Sequence, residues 1–92
     1  NPNIPIRSII EGAYPNPFNP ISTIKFSLKD DCQIQLSIHN VNGEKVEDLY
    51  SGYKGAGFHQ IVWDAKDMPS GMYFFMLNIP EGIHSQKLLL LK

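Results

Sequence analysis

The sequence is poor in the features that mark several classes of protein. Its one cysteine, Cys32, excludes an internal disulfide and any multi-cysteine metal site. The formal net charge of −1 provides no basic surface, so we expect no nucleic-acid partner. The longest purely apolar run, residues 88–91, is far shorter than the roughly 20 residues that cross a bilayer. We therefore expect no membrane insertion.

The amino terminus lacks both an initiator methionine and the pattern of a signal peptide. We expect the chain to be a piece of a longer protein whose upstream part is missing. Residues 1–12 contain Pro2, Pro5 and a short apolar run, which is typical of an extended linker that can add one edge strand. We place the folded domain at residues 13–92, a length that leaves room for one folded unit.

Alternation of apolar and polar residues dominates the rest of the chain and predicts β-strands. Residues 21–28 place Ile24, Phe26 and Leu28 on one face, and residues 32–41 repeat the pattern. Asp30 and Asp31 lie between these two stretches. A short polar connection of this kind predicts a β-hairpin.

The strongest turn signal is Asn42 followed by Gly43. Both central residues of a type I′ turn need a positive φ, which these two residue types tolerate best, so we predict that turn here. A glycine-rich connection is predicted at residues 51–57, and a turn at residues 80–82. The remaining strands are predicted at residues 44–50, 58–65, 71–79 and 83–91.

No stretch of ten or more residues has the 3.6-residue period of an amphipathic helix. Short strands separated by turns, with Trp63 in the middle, predict an all-β fold. We expect an antiparallel β-sandwich of about seven strands, of the immunoglobulin or fibronectin type III kind. The predicted core residues are Ile24, Phe26, Leu28, Ile34, Leu36, Ile38, Val46, Leu49, Ile61, Trp63, Tyr73, Phe75, Leu77, Leu88 and Leu90.

Residues that could carry chemistry are scattered along the sequence. His39, His59 and His84 fall on three different predicted strands without metal-ligand spacing, and no Gly-x-Ser-x-Gly elbow is present. The aspartate pairs at residues 30/31 and 64/67 lack the spacing of a calcium-binding loop and are more typical of turns. Cys32 is interpreted as a small buried apolar residue. We therefore expect no catalytic residue, no metal site and no cofactor, and the domain is predicted not to be an enzyme.

One predicted strand is apolar on both faces. Met72, Phe74 and Met76 alternate with the core residues Tyr73, Phe75 and Leu77, at positions where a half-exposed strand would be polar. Two explanations are open. The linker covers this face, or the face docks against a neighbouring domain or a receptor.

Several stretches, taken together and in this order, resemble a known family: YPNPFNPIST at residues 14–23, IKFSL at 24–28, IHNVNGEKVEDL at 38–49, GAGFHQIVWDAKDMPSGMYFFML at 55–77 and QKLLLLK at 86–92. Residues 13–92 resemble the C-terminal sorting domains of the type IX (Por) secretion system of Bacteroidetes and related bacteria. They also resemble the similar immunoglobulin-like domain of flagellar hook-capping proteins.

The resemblance implies a non-enzymatic tail on an exported protein. Such a protein passes through the periplasm, is recognised there by its C-terminal domain, crosses the outer membrane and reaches the cell surface or the medium. The implied partners are outer-membrane components of the secretion system, a sortase-like peptidase and the upstream cargo domain of the same chain. The alternative is a structural or adhesive immunoglobulin-like domain, either a spacer beside a hydrolase or a component of a flagellar hook cap.

The resemblance also implies which residues take part in recognition. They form an opening proline motif, a glycine and tyrosine in the middle of the domain, and a terminal strand. An edge strand carries unpaired backbone groups, so the last strand is expected to bind a receptor by β-addition. The implied recognition residues are Pro15, Asn16, Pro17, Gly71, Tyr73, Lys87, Leu88, Leu89, Leu90, Leu91 and Lys92.

Overall fold

The structure, a computed structural model, describes residues 5–92, so residues 1–4 of the predicted linker lie outside it. Within this part of the chain no helix is long and apolar enough to span a membrane. The strands are β1 Ile9–Tyr14, β2 Ile21–Leu28, β3 Cys32–His39, β4 Lys45–Lys54, β5 Gly57–Asp64, β6 Gly71–Ile79 and β7 Gly82–Leu90.

The strands form two antiparallel sheets. The first sheet has the order β1-β2-β5, and the second has the order β4-β3-β6-β7. The alternating apolar residues of both sheets face each other and are buried between them. The all-β sandwich predicted from the sequence is therefore confirmed.

The core agrees with the predicted set at most positions. Val46, Leu49 and Ile61 are only partly buried, but they pack against the core. Phe18, Ala65 and Ile79 were not predicted and belong to it. The fully or almost fully buried residues are Phe18, Ile24, Phe26, Leu28, Ile34, Leu36, Ile38, Trp63, Ala65, Tyr73, Phe75, Leu77, Ile79, Leu88 and Leu90.

The predicted hairpin between β2 and β3 is wrong. β2 pairs with β1 and β5 in the first sheet, whereas β3 pairs with β4 and β6 in the second sheet. The chain therefore crosses between sheets at residues 29–31, where the Asp31 carboxylate accepts a hydrogen bond of 2.7 Å from the Ala56 N–H. Both strands turn alternate apolar side chains toward the same core, so their patterns are the same for a hairpin and for a crossover.

The predicted type I′ turn is also wrong, because no residue other than glycine has a positive φ among those described. Gly43, with φ of 82°, donates its N–H to the Asn40 carbonyl at 3.0 Å. This is the pattern of a three-residue hairpin loop that ends in a left-handed glycine. The Asn40 side chain supports the loop, since its Oδ1 accepts the N–H groups of Asn42 and Glu44 at 3.0 Å each.

The glycine-rich stretch is mostly strand, not a loop. β4 continues through Lys54, and β5 begins at Gly57. Gly52 pairs with Ile34 in this extension, and the Tyr50 ring packs over it so closely that a Cβ at this position would lie 3.1 Å from the Tyr50 hydroxyl oxygen. Glycine is present at residue 52 because the ring occupies the space of a side chain, and the strand continues through it.

The first strand brings part of the predicted linker into the sandwich. β1 pairs with β2 from Ile9 to Tyr14, with a shift of register between Ile10 and Gly12. Residues 7 and 8 are tied to the end of β2, because the Arg7 carbonyl accepts the Ser27 hydroxyl at 3.2 Å and the Ser8 hydroxyl accepts the Lys29 N–H at 3.0 Å. The domain boundary at residue 13 stays a prediction.

Candidate recognition surface at the last strand

The last strand, β7, is an edge strand of the second sheet and pairs with β6. Leu88 and Leu90 point into the core and have no exposed surface. Lys87 and Leu89 alternate with them on the outer face of the sheet. Most of the predicted terminal signal is therefore part of the sandwich itself.

A proline segment, residues 15–20, lies along the outer edge of β7. The side chain of Asn16 binds this edge twice: its Nδ2 donates to the Lys87 carbonyl at 2.9 Å, and its Oδ1 accepts the Leu89 N–H at 3.0 Å. Phe18 continues the pairing through its backbone, donating to the Leu89 carbonyl at 2.9 Å and accepting the Leu91 N–H at 3.0 Å. The expectation that the last strand has unpaired backbone groups is therefore wrong for its C-terminal half, residues 87–91.

The proline segment leaves the first sheet after β1, contacts the edge of the second sheet and returns to the first sheet at β2. It starts after β1 in the first sheet and forms a parallel bridge to Leu90 in the second. The peptide bonds before Pro15, Pro17 and Pro20 are cis. Proline has no N–H to donate, so it suits a border position such as this one. The Ser22 hydroxyl fixes the start of the segment by donating to the Pro15 carbonyl at 2.9 Å.

Phe18 anchors the proline segment in the core. Its side chain is 3% exposed, and its ring centroid lies 5.5 Å from that of Trp63. Sequence reasoning missed this residue because the surrounding prolines suggested a surface turn. The available signal was one large aromatic residue between the two asparagine-proline pairs.

Gly71 and Tyr73 lie beside the same end of β7. Gly71 begins β6 opposite Leu90, and Tyr73 pairs with Leu88. The Tyr73 ring meets Trp63 edge-on at 5.4 Å, and its hydroxyl donates to the Pro69 carbonyl at 2.7 Å. Burial raises the pKa of Tyr73 above its ordinary value. These two residues therefore shape the core and the β5–β6 loop, residues 65–70, beneath the last strand.

The residues after β7 bind this β5–β6 loop. The Lys92 N–H donates to the Ser70 hydroxyl at 3.0 Å, and its ammonium group donates to the Lys66 carbonyl at 2.6 Å. The Leu91 side chain is 52% exposed. The structure thus brings all three predicted elements of recognition, the proline motif, the glycine-tyrosine pair and the terminal strand, to one end of the sandwich.

The face formed by Met72, Phe74 and Met76 is the outer face of the second sheet, and all three residues are half-buried. Phe74 and Met76 line a shallow cavity of about 380 Å³ together with His39, Val41 and Ser85. The described part of the predicted linker lies along β2 in the opposite sheet. Residues 5–12 therefore do not cover this face, and docking of another protein stays a prediction.

Two of the three histidines form hydrogen bonds, and Cys32 packs against the core. His39 lies 3.0 Å from the Ser37 hydroxyl, and His59 lies 2.7 Å from the Gly55 carbonyl. Within residues 5–92 no group of three or more histidine, cysteine, aspartate or glutamate residues could hold a metal ion. Burial, followed by the negative charge of Asp30, raises the pKa of the Cys32 thiol, so the thiolate is disfavoured.

Comparisons with known proteins match most of this chain. A family model described as a secretion system C-terminal sorting domain matches residues 12–91. The crystal structure of dimeric latent PorU from Porphyromonas gingivalis is similar, with a TM-score of 0.67 and 19% identity, and at that identity the similarity shows the fold alone. It covers 91% of this chain but only 9% of the PorU chain. No curated protein sequence matches the chain.

Proposed function

Because this chain belongs to the C-terminal sorting domains of the type IX secretion system, we propose that it directs an attached cargo protein through that system. The family match over residues 12–91 is the observation that carries this proposal. On this proposal the cargo passes through the periplasm and then to the cell surface or the medium. The domain itself is non-enzymatic.

The proposed partners follow from the same family membership. They are the outer-membrane components of the secretion system, a sortase-like peptidase, and the cargo domain upstream in the same protein. Neither nucleic acid nor membrane insertion is part of the proposal.

We place the recognised surface at the last strand and the residues that follow it. Lys87 and Lys92 are exposed there, and Leu91 is half exposed, so their side chains are accessible to a receptor. Asn16 and Phe18 have a different role, because they hold the strand in place through hydrogen bonds. The signal is therefore presented by the folded sandwich.

The test is export of a fluorescent reporter that carries a periplasmic signal and ends in the 92-residue chain, in a host with the secretion system. Deleting residues 87–92 would also remove the buried Leu88 and Leu90, so loss of folding would be mistaken for loss of the signal. A sharper variant is Lys87→Glu with Leu91→Glu, which changes only exposed side chains. We expect this variant to reduce surface delivery of the reporter.

The matched control is Lys25→Glu with Val62→Glu. It makes the same kind of chemical change at exposed positions of the first sheet and should be exported like the unchanged chain. Equal delivery of the two double variants would show that the last strand is not the signal. A reporter that stays in the periplasm with the unchanged chain would refute sorting and favour the structural or adhesive alternative.

A further inference from the structure

The outer edge of β7 has two halves that differ in their pairing. The N–H and C=O of Leu89 point away from β6 and bind Asn16 and Phe18. The β6–β7 register has no interruption, so by two-residue alternation the backbone groups of Ile83, Ser85 and Lys87 point the same way. Within residues 5–92, the backbone groups of Ile83 and Ser85 and the N–H of Lys87 have no partner on this edge. Residues 83–87 are therefore an open edge.

This open half lacks most of the usual protection of an edge strand. Natural edges are commonly blunted by bulges, prolines, charged side chains or covering segments, and of these the described open half has only Lys87, at its end. Of the four edge strands, β1 has a shift of register against β2 and β4 has two against β3, whereas β5 and β7 have none. Ile83 adds an apolar side chain that is 61% exposed. The proline segment ends its cover at Lys87. Among residues 5–92, β1 of the first sheet also approaches β7 but does not pair with it, so one half of the strand is closed and the other is unpaired.

The side chains beside the open edge define the partner. Ser85 lines the cavity formed by Phe74 and Met76, and Ile83 and Met76 line an adjoining cavity of about 240 Å³. An added strand would extend this partly apolar face. Lys87 is exposed and forms no ion pair among the described residues, so an acidic side chain opposite it would be favourable.

A second copy of the chain fits this edge less well. If two β7 strands paired antiparallel about Ser85, Lys87 of each copy would face Ile83 of the other. Parallel pairing would place Lys87 against Lys87. Neither arrangement supplies an acidic partner for the lysine, and like charges directly opposite each other are destabilising. Antiparallel pairing about His84 would place Lys87 opposite Glu81, but that carboxylate already pairs with Lys29 at 3.3 Å. A strand of different sequence is therefore favoured.

We propose that a receptor protein adds an extended strand to β7 at residues 83–87, with an apolar side chain against Ile83 and an acidic one against Lys87. This inference rests on the proposed sorting function and names where the receptor binds. It places the backbone contact before residues 88–92, where the proline segment already occupies the edge.

The experiment uses the same reporter fusions with two new variants. Ser85→Pro removes an N–H that does not bond to β6, so the β6–β7 ladder is retained. Ile83→Lys keeps every backbone hydrogen bond and places a charge where the partner would pack. Each variant should lower surface delivery about tenfold, because the added strand loses backbone pairing or an apolar contact.

The matched control is Gln60→Pro on β5, the border strand of the first sheet. The Ala65 N–H bonds toward β2, to the Pro20 carbonyl, so by alternation the Gln60 N–H points away from β2. This variant should be exported like the unchanged chain. Circular dichroism melts of the isolated variants measure folding, and if Ser85→Pro fails to fold, Ile83→Lys decides.

The outcomes separate this inference from the proposed function. If the unchanged chain does not deliver the reporter, both fail. If it does, but Ser85→Pro and Ile83→Lys are delivered like Gln60→Pro, the edge inference is refuted and sorting stands. Loss of delivery with Gln60→Pro alone would move the contact to β5. A dimer in sedimentation that Ile83→Lys dissociates would assign the edge to a second copy and also refute the inference.

Discussion

Replacing Asn16 by alanine tests how the proline segment is held on the last strand. The substitution removes the bonds from Asn16 Nδ2 to the Lys87 carbonyl and from the Leu89 N–H to Asn16 Oδ1. Each such bond contributes about 0.5–1.5 kcal/mol net. Asn16 is exposed, so water can take the place of part of the lost hydrogen bonding. We therefore expect the free energy of unfolding to fall by about 1–2 kcal/mol. In a domain of this size that lowers Tm by roughly 4–16 °C.

The assay combines urea denaturation with hydrogen exchange. The Leu89 amide should exchange faster in the variant, whereas the Leu91 amide keeps its bond to the Phe18 carbonyl and should change less. Asn19→Ala is the control, because it removes an exposed asparagine from the same segment that forms no hydrogen bond among the described contacts. Equal stability of the two variants, with unchanged exchange at Leu89, would refute the role assigned to Asn16.

Three further predictions concern buried or partly buried groups. Phe18→Ala should lower the free energy of unfolding, measured by urea denaturation, by about 3–5 kcal/mol. The control is Phe58→Ala, at a side chain that is 61% exposed, which should lower it by about 0.5 kcal/mol or less. Similar losses in the two variants would contradict the anchoring role of Phe18. The raised pKa of Tyr73 means that the folded state binds the phenol proton more tightly than the unfolded state does. Stability should therefore be full below about pH 10 and should fall as the pH rises above it. Tyr73→Phe should reduce this loss of stability, as measured by thermal melts at several pH values. Cys32 should react with iodoacetamide more slowly at about pH 8 than a free cysteine, and an equal rate would contradict the raised thiol pKa.

The sequence predicts the strands and their inward faces well because alternation is a local property. The inward face is predicted correctly in β2, which buries Phe26, and in β6, which turns Tyr73 and Phe75 to the core. Alternation does not tell which strand pairs with which, and this is why the predicted β2–β3 hairpin is wrong. The loop at Gly43 differs from its prediction because the side chain of Asn40, outside the expected turn, supplies the hydrogen bonds.

At the candidate site, too, local alternation does not predict which distant segments contact each other. Alternation identifies β7 and its buried leucines, but nothing local indicates that Asn16 binds Lys87, a residue 71 positions away. Phe18 was missed for the same reason, since its burial depends on Trp63 and the last strand. The closed half of β7 is a product of tertiary structure, and so is the open half at residues 83–87.

The contact between the proline segment and β7 also has a consequence for biosynthesis. Asn16 and Phe18 leave the ribosome early, whereas their partners, Lys87, Leu89 and Leu91, are among the last residues of this chain to emerge. The sandwich therefore cannot close during translation of its first strands, and pairing of such distant segments is intrinsically slow. The closed edge at residues 87–91 can form only after the whole domain has been synthesised. A receptor that binds β7 only in the folded sandwich would therefore not bind truncated products.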